Sequence, residues 1–249
     1  MSDFRRELYA SYVSAFKRAE PAATARERQA YWAWCDRRYL PLCQDVPRDQ
    51  PVLELGCGPG QLLEYLGQRG FRRRLGIDLS EEQVRRARAR QQPALVADAV
   101  PFLRTQPGRF GLVVAVDVFE HFTRDELIPL VEAIHAALRP AGVLLVQTAN
   151  GQGLFPNQVI YGDLTHVTIL TPGSLGQLLR RSGFAELTFA ETGPVPVRLR
   201  GRLDSMAWWA IRQLASLIRQ VETGKRQTVW TENFLCRAVR APAPDPNQH

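Results

Sequence analysis

Three glycines within five residues, Gly56-Cys57-Gly58-Pro59-Gly60, separate a short apolar run, Val52-Leu53-Glu54-Leu55, from a helical pattern over 61–68. At the carboxyl end of a strand such a turn lets the backbone approach a ligand closely, and the helix that follows offers free N–H groups to an anionic group. A dinucleotide loop would be spaced G-x-G-x-x-G. Counted from Gly56, its third small residue would fall at Gln61, and the third glycine comes one residue early. An acid, Glu54, also stands two residues before Gly56, where dinucleotide strands carry apolar residues. Both departures disfavour NAD.

From Val52 onward short β-rich runs alternate with longer helical patterns, the signature of a doubly wound parallel sheet. Strands are expected over 52–55, 73–78, 94–97, 110–116, 142–148, 186–191 and 228–239, and helices over 61–68, 81–90, 125–138 and 171–181. Phe110 to Val116 is apolar enough for a central strand buried on both faces. Ser80 caps the second helix, and Gly183 stops the last. The fold class is α/β: a Rossmann-like, seven-stranded, mostly parallel sheet with helices on both faces. Residues 1–45 form an N-terminal helical cap, 46–240 the main domain, 193–227 a helical insertion between strands six and seven, and 241–249 a Pro-rich, disordered tail. In the cap, Leu8, Tyr12 and Phe16 share one helix face, and Arg26 to Leu40 carries Tyr31, Trp32 and Trp34. In the insertion, Ala207, Ile211, Leu214, Ile218 and Val221 make a stripe at helical spacing. Packing of both stripes on the core is the expectation, with a lid or pocket wall as the sharper alternative.

Acids stand at successive strand ends: Asp78 closes Gly-Ile-Asp, Asp98 lies in Val96-Ala97-Asp98-Ala99, and Asp117 opens Asp117-Val118-Phe119-Glu120-His121. Any one of them could be a cap or turn residue, but together they sit where α/β sheets bind ligands. With Glu54 to Gly60, these segments closely resemble the class I S-adenosylmethionine-dependent methyltransferase family, whose first motif is E/D-x-G-x-G-x-G. The resemblance covers roughly 52–239 and implies S-adenosylmethionine as cofactor. It places the loop residues Gly56, Cys57, Gly58 and Gly60 around the methionine moiety, with Glu54 orienting the loop partly through water, and Asp78, followed by Leu79, at the ribose. It also places Asp98 and Ala99 at the adenine edge, with Asp117 and Val118 after the fourth strand.

The formal net charge is +7, yet Lys17 and Lys225 are the only lysines among 32 basic residues. No basic run interleaves with aromatics as a single-strand binding surface requires, so nucleic acid is not an expected partner. The charge can steer an anionic acceptor such as a phosphate-linked sugar. Cys35, Cys43, Cys57 and Cys236 form no CxxC pair or zinc spacing and read as reduced thiols. The start leads into no signal-peptide core, and no apolar stretch is long enough for a spanning helix, so the expected location is the cytoplasm, with peripheral membrane contact left open. Oligomeric state is not legible.

Methyl transfer from a sulfonium is a direct displacement, so the chain's task is alignment and removal of the acceptor's proton. Of four histidines, His249 is terminal and His135 lies within a helix. His166, in the loop after the fifth strand, is the favoured base, with Asp163 three residues earlier to orient it, and His121 ranks below. Asp163, His166, Asp117 and His121 have no diagnostic ligand spacing, and no metal is expected. The segment from Asn157 to Pro172 and the N-terminal Leu8 to Lys17 resemble bacterial polysaccharide and glycoside methyltransferases, which implies a sugar hydroxyl acceptor, with Arg198, Arg200 and Arg202 available for a phosphate. The alternatives are a flat quinone or polyketide acceptor lined by Trp208 and Trp209, and a catalytically silent cofactor-binding subunit. No Asn-Pro-Pro-Tyr motif is present, which disfavours methylation of base amino groups.

Overall fold

A computed structural model describes residues 24–241, so the Leu8, Tyr12 and Phe16 stripe and the tail beyond 241 lie outside the described residues. In chain order the elements are α1 (Ala25–Arg38), α2 (Leu40–Cys43), β1 (Val52–Leu55), α3 (Gln61–Gln68), β2 (Arg74–Asp78), α4 (Glu81–Ala89), β3 (Ala94–Val96), α5 (Ala99–Arg104), β4 (Phe110–Val116), α6 (Arg124–Ala137), β5 (Leu138–Ala149), α7 (Asn157–Tyr161), α8 (Pro172–Arg181), β6 (Phe184–Glu191), α9 (Leu199–Thr223) and β7 (Asn233–Arg240). The strands form one seven-stranded sheet in the order β3-β2-β1-β4-β5-β7-β6. It is parallel from β3 through β5, whereas β7 runs antiparallel to both β5 and β6. This is the mostly parallel, Rossmann-like sheet that the alternation predicts.

The period-2 geometry of the central strands divides the core. Leu53, Leu55, Val113 and Ala115 face α6 and α8, packing with Leu127, Leu130, Ile134 and Leu179. Val52, Leu112 and Val114 face the other way, onto Tyr39, Cys43, Leu62, Tyr65 and Leu66. All four residues of β1 and the first six of β4 are buried, as strands covered by helices on both faces must be. All four cysteines are buried free thiols.

Several expected boundaries move. The Ser80 hydroxyl accepts from the Gln83 amide and starts α4 as expected. The short helix α5 is not apparent in the sequence because Asp98-Ala99-Val100-Pro101 reads as a turn. Asp98 caps it, and Pro101 falls in the first turn, where no intrahelical donor is needed. β5 begins at Leu138 and not at Gly142, with a register shift opposite Phe110 to Leu112 and Ala141 at φ 60°. β7 begins at Asn233 and not at Thr228, because the preceding segment turns to give the Trp230 amide to the Glu191 carboxylate at 2.8 Å.

The expected packing of the Ala207, Ile211, Leu214, Ile218 and Val221 stripe is overturned. α9 runs 25 residues with none buried, and these side chains are exposed. Its inner face is instead Ser205, Trp208, Arg212 and Ser216. Trp208 Nε1 and Arg212 Nη1 donate to Glu191 at 3.1 and 2.8 Å, and Ser216 accepts from Trp230 Nε1 at 3.1 Å. The buried carboxylate of Glu191 requires charged and N–H partners, and that requirement rotates the polar side of the helix inward.

Candidate active site

Leaving β1 the sheet grows in one direction through β2 and β3, and leaving β4 it grows in the other. The crevice at the carboxyl ends of these two strands is the topological switch point, where open α/β sheets bind ligands. A cavity of about 420 Å³ lies there, walled by the loop after β1, the ends of β2 and β3, and the segment after β4.

Gly56, Gly58 and Gly60 all have positive φ, at 61°, 49° and 77°. A Cβ on Gly56 would stand 2.7 Å from Val118 Cγ2, so that glycine is fixed by packing as well as backbone. Nothing lies within 4 Å of a Cβ built on Gly58, which leaves the loop open toward the cavity. The Gly58 amide donates to Asp78 Oδ2 at 2.9 Å, and the Ser80 amide donates to Oδ1 at 2.8 Å. A single carboxylate therefore ties the glycine loop to the next helix start. The carboxylate lies in the cavity wall, where it can accept from a ribose hydroxyl.

Leu79, Asp98, Ala99, Asp117, Val118 and His121 join Gly56, Gly58 and Asp78 in the cavity wall. Glu54, Cys57 and Gly60 do not line it. The Cys57 side chain turns down onto Gly76 and Leu63, and its amide bonds the Ile77 carbonyl at 3.0 Å, so it supports the loop from below. Gly60 is the left-handed residue that opens α3. Glu54 is buried beneath the loop with Oε2 unpartnered, and burial, reinforced by the charge of Asp78, pushes its carboxyl well above the ordinary range. The unpartnered Oε2 beneath an open glycine loop fits the amino group of a methionine moiety, reached directly or through water.

Asp117 holds an unusual backbone position for a non-glycine, φ 52°. It lines the cofactor cavity and also a second cavity of about 810 Å³, and is the residue common to both walls. The second cavity is rich in aromatics, with Tyr31, Trp34, Tyr39, Phe155, Trp208 and Trp230 around it. Its floor is a buried polar chain in which Tyr39 donates to Gln147 Oε1 at 2.8 Å and Gln147 Nε2 donates to Asp117 Oδ1 at 3.1 Å. Helix α1 is fastened above it. Trp34 Nε1 donates to the Thr192 carbonyl at 3.0 Å, and Arg38 donates to the Gly193 and Pro194 carbonyls at 3.0 and 2.7 Å. Trp208 lines the cavity, whereas Trp209 faces solvent. The sequence reading missed Gln147 and Glu191. The available signal was a glutamine inside the otherwise apolar strand Val143-Leu144-Leu145-Val146-Gln147, since a polar group there needs a buried partner.

The histidine loop differs from expectation in its pairing. Asp163 accepts from the Thr165 amide at 2.9 Å and the Thr165 hydroxyl at 2.6 Å, while Thr165 Oγ1 lies 2.9 Å from His121 Nδ1. Its short side chain takes the donors two residues ahead in its own turn, and Thr165 carries that contact on to His121. His166 Nδ1 bonds the Val159 carbonyl at 2.8 Å, and its ring meets the His121 ring edge-on at 4.8 Å. His121 lines the cofactor cavity, while His166 lines neither cavity. Behind them Glu120 is buried and accepts from the Thr148 hydroxyl at 2.9 Å. Burial first, then the Asp117 charge, raises its carboxyl above the ordinary value of 4.5. Among the described residues, no group of three or more His, Cys, Asp or Glu is placed to hold a metal ion.

A family profile described as a methyltransferase domain matches residues 24–188. The human mitochondrial arginine-hydroxylase NDUFAF5 is 29% identical over 175 residues, covering 65% of this chain and 50% of its own length. The ubiquinone biosynthesis O-methyltransferase of Pseudomonas aeruginosa is 31% identical over 105 residues, covering 40% of this chain and 44% of its own. The chain thus spans about half the length of these curated relatives. Among solved structures, a SAM-dependent methyltransferase from Archaeoglobus fulgidus superposes with a TM-score of 0.64 at 17% identity, covering 85% of this chain and 94% of that one. Phosphoethanolamine N-methyltransferase 2 of Haemonchus contortus, solved with S-adenosyl-L-methionine, superposes with a TM-score of 0.60 at 16% identity, covering 94% and 60%. Together with the open glycine loop and the acids at the ends of β1, β2, β3 and β4, the profile match places this chain in the S-adenosylmethionine-dependent methyltransferase family.

Proposed function

We propose that the protein methylates a hydroxyl on a ring-shaped small molecule held between the aromatic side chains of the second cavity. One observation carries this reading: the aromatic cavity and the cofactor cavity meet at Asp117. The cofactor supplies a methyl group on a sulfonium. The chain supplies alignment, with Trp34, Trp208 and Trp230 available to hold a flat acceptor and the Tyr39–Gln147–Asp117 chain to fix the polar edge where the cavities join. His121 takes the role of base, ahead of His166. With the Thr165 proton directed to Asp163, Nδ1 of neutral His121 is the donor to Thr165, and Nε2 carries the lone pair. Helix α1 and the 192–194 segment roof the acceptor and limit water.

A phenolic or quinol acceptor is favoured by the aromatic lining and by the kinship with a ubiquinone biosynthesis O-methyltransferase. The sugar acceptor remains the second reading, supported by the polar end of the same cavity, where Gln61, Glu232 and Asn233 can bond several hydroxyls. The test is methyl transfer from labelled cofactor to matched panels of phenols, quinols and nucleotide sugars, repeated with His121→Ala and His166→Ala. The proposal expects transfer to a ring hydroxyl, abolished by His121→Ala and retained in His166→Ala. Cofactor binding without transfer to any panel member would point to the silent-subunit reading, and loss of activity only in His166→Ala would reverse the choice of base.

A further inference from the structure

Helix α9 is amphipathic the wrong way round. At about 100° per residue, Leu203, Met206, Ala210, Leu214, Leu217 and Val221 fall on one face, opposite Trp208, Arg212 and Ser216, which meet the body of the protein. All six are exposed, from 58% at Leu203 to 80% at Val221 for the five large ones. Ile211 and Ile218 widen the face on one side, and Trp209 stands beyond its opposite edge. The helix is about 37 Å long. Among the described residues nothing covers this face, and an apolar face of that length costs too much in water to be incidental.

Charge decides what covers it. From 198 to 226 the chain carries seven cations (Arg198, Arg200, Arg202, Arg212, Arg219, Lys225 and Arg226) against two acids, Asp204 and Glu222. Five of them, Arg198, Arg200 and Arg202 at one end and Lys225 and Arg226 at the other, are exposed and bracket the apolar face. A second copy would bring the same cations to the interface and repel. The positions beside the Leu203, Ala207, Ala210, Leu214, Leu217 and Val221 line carry Asp204, Met206, Ile211, Gln213, Ile218 and Gln220, whose single charge lies 3.8 Å from Arg200 of the same helix, too little to set a coiled-coil register. A broad apolar face edged by an indole and bracketed by Arg and Lys matches a helix lying in the interface of an anionic bilayer. No helix among the described residues is long and apolar enough to cross a membrane.

We infer that α9 is an interfacial helix, seating this chain on anionic membrane surfaces through its Leu203–Val221 face. Trp208, on the opposite side of the same helix, lines the acceptor cavity, so docking places that cavity beside the lipid. The inference stands whichever acceptor is methylated.

The test is co-flotation of the full chain with vesicles of phosphatidylcholine alone and with about one third phosphatidylglycerol. Binding is expected to the anionic vesicles and to weaken as salt is raised. The triple variant Leu203→Gln, Leu214→Gln and Leu217→Gln changes exposed side chains only and should lower partitioning on the order of 100-fold. Circular dichroism and cofactor affinity should stay unchanged and so report an intact fold. No flotation of the folded native chain with either vesicle overturns the inference. A concentration-dependent dimer by light scattering that the triple variant dissociates, without vesicle binding, would assign the face to a second copy.

Discussion

The two cavities that meet at Asp117 are built differently. The cofactor side is assembled from consecutive strand–turn–helix units, each offering one acid or one turn at the carboxyl end of its strand: Gly56 to Gly60, Asp78, Asp98, Asp117. The second cavity, proposed above to hold the acceptor, gathers Trp34 from α1, Gln147 from β5, Trp208 from α9 and Trp230 from the approach to β7. The first is held by short-range geometry, namely left-handed glycines and carboxylates that cap the next helix. The second is held by hydrogen bonds between residues more than a hundred positions apart, such as Trp34 to Thr192 and Tyr39 to Gln147. A site of local parts tolerates changes in distant segments, whereas a site of distant parts depends on its fastenings.

The comparison breaks most directly at Asp78. Replacing it with Ala removes the acceptor of two loop amides, and calorimetry should show cofactor affinity falling on the order of 100-fold, with acceptor KM little changed. If acceptor KM moved as far, the two halves would be one unit. Gly56→Ala forces a side chain into φ 61° against Val118 and should lower stability by about 2 kcal/mol in denaturant titrations, with a parallel loss of cofactor affinity. On the other side, Trp208→Ala should raise acceptor KM about tenfold while leaving cofactor Kd unaltered. An unchanged KM would remove α9 from the acceptor wall.

The smallest effect lies where the halves touch. The folded Glu120 carboxyl holds its proton more tightly than the unfolded one, so its stabilising share is complete below about pH 4.5 and is lost as pH rises through the raised folded value. Glu54 acts in the same direction. Thermal melts of the native chain should therefore lose stability from acid toward neutral pH, and Glu120→Gln, which still accepts from Thr148, should flatten that slope. A slope left unchanged by Glu120→Gln would assign the pH dependence to other buried acids, Glu54 first.

This contrast also sets what the sequence could reveal. The strand order, the glycine turn and the acids at strand ends are local signals, so β1, β4 and α3 fall within their expected bounds, and Asp78, Asp98 and Asp117 stand together around one cavity. Glu54, Cys57 and Gly60 belong to the motif but act from beneath the loop, because a motif records spacing and not which way a side chain turns. The acceptor wall has no such spacing. The apolar stripe of α9 points to the opposite inner face from the one observed, because the buried acid of Glu191, whose partners are decided only when the chain has folded, draws the polar side inward. Spacing in the sequence does not reveal that Asp163 accepts from Thr165 within its own turn, which links it to His121.

Glu191 carries a consequence for how such a chain can change. One carboxylate at the end of β6 receives the Trp208 indole, the Arg212 guanidinium and the Trp230 amide, and thereby clasps the whole strap of 192–232 to the sheet. The strap is inserted between two strands and held by Glu191 together with bonds from Trp34, Arg38 and Asn150, while the cofactor loops lie on the far side of β4. With the acceptor cavity assigned as proposed, exchanging the strap while keeping these fastenings would give the same methyl donor a new clientele, which makes the segment after Glu191 the place to graft when acceptor choice is to be redesigned.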